Sequence, residues 1–153
     1  MKVLNKVLIG VASLAMLTAC ASKTDYSSFH SKAVEAAEKA KEVSFSKVVV
    51  SGSYVDEDNK KQEYNDVTVL FEKGTFKPTV ATHLEEVAVA LVLNFSTANL
   101  VPEAENTTYY AGSSFKVVYE KDGDKETSLY SQYGLLTSVK SSAGDNLKVS
   151  YKK

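Results

Sequence analysis

The chain has 153 residues, 44% of them hydrophobic, with a formal charge of −1 and a single cysteine. That length suits one domain with its own core, and one cysteine excludes an internal disulfide and cysteine-based metal sites. All eighteen basic residues are lysine, which argues against forked recognition of phosphate or carboxylate. The charges are interspersed without a basic stripe, so nucleic-acid binding has no support.

Lys2 and Lys6 precede an apolar run of eleven residues, Val7 to Leu17, and small residues lead from there to Cys20. A membrane-spanning helix needs about 20 apolar residues. The order basic, apolar, small is that of a secretory leader. Leu17-Thr18-Ala19-Cys20 resembles the lipobox of bacterial lipoproteins. The resemblance implies diacylglycerol transfer to the Cys20 sulfur, cleavage after Ala19, and attachment to a membrane at the extracytoplasmic face of a bacterial cell envelope. Ala21, where a retained enteric lipoprotein would carry aspartate, implies the outer membrane if the host has two. With Lys2 and Lys6 removed, sixteen lysines face nineteen carboxylates, a net charge of −3.

The expected organisation is a signal peptide at 1–19, a lipidated tether at 20–27 and a single α+β domain at 28–153. The polar segment 21–27 would reach up to about 25 Å. From Ser28 to Glu42, Phe29, Ala33, Ala36, Ala37 and Ala40 recur at helical spacing. Strands are expected over Phe45–Val55 and Tyr64–Phe71, joined by the polar turn around Asp56-Glu57-Asp58-Asn59. Gly74 and Pro78 punctuate a loop. Thr82-His83-Leu84-Glu85 reads as a capping box opening a second helix. That helix is apolar nearly all round, which predicts burial on more than one side. Tyr109–Glu120 alternates as one strand, Asp122-Gly123 signals a type I′ turn, and Thr127–Ser131, Leu135–Lys140 and Leu147–Tyr151 complete the set. The predicted fold is a curved antiparallel sheet of about six strands covered by two helices, in the order α-β-β-α-β-β-β-β.

Reactive constellations are sparse. His30 and His83 lack metal-ligand spacing. Asp56, Asp58 and Asn59 begin like a calcium loop, but Lys60 and Lys61 break the pattern. No Gly-x-Ser-x-Gly is present, and Glu85 and Glu86 point about 100° apart on a helix. Asn106-Thr107-Thr108 matches a glycosylation acceptor, a pattern that chance alone explains. No enzyme activity, cofactor or metal is expected. What remains is a tyrosine-bearing sheet over an apolar helix, including Tyr109, Tyr110, Tyr130 and Tyr151, a composition suited to an interface. The expected function is a membrane-anchored, non-catalytic binding module of the cell envelope, docking on another envelope component through an edge strand or the tyrosine-bearing face. The alternative is a carrier of a lipid or other amphiphile, similar in outline to periplasmic lipoprotein carriers. Its pocket would be lined by Leu91, Leu93, Val117, Leu129, Tyr119 and Tyr133, with Val89 beside them.

Overall fold

A computed structural model describes residues 21–153; the expected leader at 1–19 and Cys20 lie outside the described residues. In chain order the elements are β1 (Ala21–Thr24), α1 (Tyr26–Ala40), β2 (Ser44–Val55), β3 (Lys61–Glu72), β4 (Thr75–Pro78), α2 (Leu84–Asn94), β5 (Thr107–Gly112), β6 (Phe115–Lys121), β7 (Asp124–Tyr130), β8 (Leu136–Ser141) and β9 (Asn146–Lys152). All strands join one antiparallel sheet in the order β1-β5-β6-β7-β8-β9-β2-β3-β4.

This corrects the six-stranded expectation to nine strands, and the element order with it. Three strands were hidden. Ala21–Thr24, read as tether, is an edge strand paired with β5, Ala21 opposite Gly112 and Thr24 opposite Tyr109. Short polar edge strands look like linkers because an edge is kept short and polar to discourage further pairing. Thr75–Pro78 pairs back on β3 across a two-residue turn, with Lys73 at φ 45° and Gly74 at φ 95°. The run Tyr109–Glu120 is two strands, not one, with Ala111 opposite Phe115.

Helix α1 begins where the Asp25 carboxylate accepts the Ser28 amide at 2.7 Å. It buries Phe29, Ala33, Ala36 and Ala40. The alanines let it lie close to the sheet: a Cβ on Gly134 would stand only 3.4 Å from Ala98 and 3.7 Å from Ala36. Helix α2 packs on β3 and β4. Both helices share one core with the sheet, in which Phe29, Val48, Val50, Val69, Phe71 and Leu93 are fully buried.

The capping box does not form. His83 is the N-cap and makes no side-chain cap bond. Instead Glu86, three residues into the helix, accepts from Thr79 Oγ1 at 2.6 Å and the Val80 amide at 2.9 Å, and lies 3.0 Å from His83 Nδ1. These bonds, from Thr79 first, hold its carboxyl down to about 2.

Strands β2 and β9 join the N-terminal and C-terminal halves of the sheet. At their crossing Gly52 has φ +102°, and a Cβ there would lie 2.0 Å from the Asn146 carbonyl oxygen. Only glycine admits this approach.

Candidate functional site

The residues expected to line a pocket do not converge. Leu93 is fully buried in the core, as is Val89. Leu91, two residues before Leu93 on α2, faces away from the core and is 56% exposed. Val117 and Tyr133 pack at the margin of the core. Tyr119 is 38% exposed. Leu129 pairs with Lys116 and alternates with the buried Tyr130, which puts it on the face opposite the helices.

Two open grooves of about 350 Å³ each are present. One runs along the β2–β3 irregularity between Ser51, Ser53, Glu63 and Asp66. The other lies beside β1, between Lys23, Asp25, Glu103 and Thr107. Both are predominantly polar, and none of the six expected pocket residues lines either.

The tyrosines mostly serve the core. Tyr109 packs against Phe29 with ring centroids 5.2 Å apart, while its hydroxyl donates to the Pro102 carbonyl at 3.0 Å and accepts from the Ala104 amide at 2.9 Å. Tyr133 and Tyr151 close on Phe45, and Tyr151 donates to the Leu136 carbonyl. Burial raises the Tyr130 hydroxyl to about 12 and pushes that of Tyr151 well above its ordinary range. Tyr110 instead carries Lys116 Nζ 4.2 Å above its ring.

The titratable candidates are accounted for locally. His30 stacks on Tyr26, and His83 sits at the start of the other helix beside Glu86. The Asp56 carboxylate accepts from the Asp58 and Lys60 amides and from Gln62, which organises the β2–β3 turn and holds its pKa below the ordinary carboxylate value. Among the described residues no group of three or more His, Cys, Asp or Glu is placed to hold a metal ion.

The surface that stands out is the outer side of α2. Leu84 is 83% exposed and Phe95, just beyond the helix, 71%; Val87 and Leu91 lie between them. Their spacing of three and four residues sets them in one stripe roughly 16 Å long. The expected burial of this helix on several sides is therefore corrected. It lies over β3 and β4 at the margin of the sheet, so only Val89, Ala90 and Leu93 meet the core. Apolar composition signals burial without saying against what.

Asn94 closes the adjoining edge. Its Oδ1 accepts the Phe76 amide and its Nδ2 donates to the Phe76 carbonyl, both at 2.9 Å. A side-chain amide thereby takes the place of a further strand, and Pro78 ends β4 without a donor. Protein-family models, curated protein sequences and solved structures yielded no match to this chain.

Proposed function

We propose that the chain is a lipid-anchored protein of the bacterial cell envelope whose domain binds a partner protein and catalyses no reaction. The lipobox-like Leu17-Thr18-Ala19-Cys20 supports the anchor. The exposed stripe Leu84, Val87, Leu91 and Phe95 carries the binding role. A contiguous run of large apolar side chains in water is the usual mark of an interaction surface. With Asn94 occupying the β4 edge, the partner meets side chains on α2 rather than adding a strand. A hydrophobic groove or a second helix face is the complement such a stripe fits.

The test is photocrosslinking in intact cells from a probe at Leu91, followed by the same capture with Phe95→Asp. A specific crosslinked protein that is lost with Phe95→Asp supports the assignment; about 2 kcal/mol or more of binding energy rides on an anchor residue of this kind. Indifference to Phe95→Asp contradicts it. Separately, acyl labelling that disappears with Cys20→Ser checks the anchor.

A further inference from the structure

The sheet register assembles a basic surface that the linear sequence scatters. Core residues Ala111, Phe115, Tyr130 and Leu147 point to the helix side, so their neighbours point the other way. Across six consecutive strands these neighbours align as one row: Lys23, Tyr110, Lys116, Leu129, Ser138 and Lys148. On the same face Lys47 stands opposite Lys152, and Lys140 lies one step from Lys148 toward the β8–β9 turn. The carboxylates of this face lie at its margins. Glu120 faces Lys125 beside the β6–β7 turn, Glu72 is 3.5 Å from Lys77 on the last strand, and Glu63 and Asp66 bound the groove next to Ser51. Half of the sixteen lysines of the mature chain thus share one helix-free face, although the mature chain as a whole is acidic.

We propose that this face lies on the anionic headgroups of the membrane that holds the protein. The inference rests on the reading of Cys20 as the lipid anchor. Cys20 is one peptide bond from Ala21, and Ala21–Thr24 is already an edge strand of the sheet. Residues 21–24 of the expected tether are therefore part of the sheet, and an acyl chain on Cys20 holds the strand that begins the lysine row at the bilayer. Lysines act as point charges that need no fixed geometry in their partner. A plane of them suits a charged surface rather than a discrete small anion. Polybasic segments next to a lipid anchor strengthen attachment to anionic leaflets, an attraction that fades within a Debye length. With the sheet face toward the membrane, α1 and the stripe of α2 are left on the side facing away from it.

The experiment is lysine footprinting by acetylation and mass spectrometry. The protein purified from membranes is placed in vesicles of phosphatidylcholine alone or of equimolar phosphatidylcholine and phosphatidylglycerol. In the mixed vesicles Lys116, Lys140 and Lys148 should react about fivefold more slowly than in neutral ones, the order expected for a lysine held at an anionic surface. Lys32 and Lys39, exposed on α1, should not change. Raising the salt to about 1 M, where the Debye length is about 3 Å, should abolish the protection. Equal rates in both vesicles, or protection of the α1 lysines instead, overturns the proposal. So does protection by double-stranded DNA or teichoic acid with none by the mixed vesicles. The same spectra report the mass of the Cys20 peptide, so an unacylated Cys20 refutes the anchor and the lysine pattern refutes the orientation.

Discussion

Gly52→Ala should be among the most damaging small substitutions in this domain. The added methyl group would sit 2.0 Å from the Asn146 carbonyl oxygen, whereas such contacts do not close below 3.0 Å. β2 and β9 must therefore separate by about 1 Å at their crossing, and weakening two ladder hydrogen bonds there costs roughly 1 kcal/mol each. The positive φ of +102° adds about 1–2 kcal/mol of backbone strain. The sum is about 3–4 kcal/mol, a large share of the roughly 5–15 kcal/mol that holds a domain folded. It should appear as a fall in Tm of roughly 10 °C. The control is Gly123→Ala, where φ is +89° and no atom lies within 4 Å of the new Cβ. It carries the strain alone, about 1–2 kcal/mol. Urea unfolding of both variants isolates the steric contact. Equal losses would show that β2 and β9 do not approach at Gly52 as described, and the junction between the two halves of the sheet would need redrawing.

Three other outcomes follow from particular contacts. Asn94→Ala removes both bonds to Phe76 and should cost about 1–3 kcal/mol, with faster hydrogen exchange of the Phe76 amide as its specific sign; an unchanged exchange rate would refute the edge seal. Tyr109→Phe keeps the ring against Phe29 but strands the Pro102 carbonyl and the Ala104 amide, so a loss of about 1–3 kcal/mol is expected in calorimetry, and a neutral result would contradict the bonding. Glu86 has a carboxyl held down to about 2 against an ordinary 4.5. Its contribution is full above about pH 4.5 and is lost as the pH falls toward 2. Thermal melts from pH 5 to 2 should therefore show a steeper decline for the native chain than for Glu86→Gln, and parallel declines would count against the Thr79–Glu86 bond.

Local patterns revealed some of this architecture and concealed the rest for identifiable reasons. Helix α1 was readable because Phe29, Ala33, Ala36 and Ala40 sit on a single stripe and all are buried. The β6–β7 turn was readable because Asp122 and Gly123 both take positive φ, at 50° and 89°, as a type I′ turn requires. The β5–β6 turn was not, because two residues, Ser113 and Ser114, separate strands whose inward positions Ala111 and Phe115 keep the same parity. A period of two runs through such a turn unbroken. The stripe on α2 was visible as apolar residues but not as a surface, since hydrophobicity does not name what covers it. The basic face was missed outright and corrects the impression of evenly mixed charge. Its lysines come from strands separated by many residues, and only the pairing of Tyr110 with Lys116, Leu129 with Ser138 and Ser138 with Lys148 sets them side by side.

The proposed function and the proposed orientation both require a lipid on Cys20. Intact-mass and peptide mass spectrometry of the chain extracted from its native membranes tests this most directly. A mature polypeptide starting at Cys20, with diacylglycerol in thioether linkage to its sulfur, is the predicted result. A chain still beginning at Met1, or a free thiol at Cys20, would contradict it.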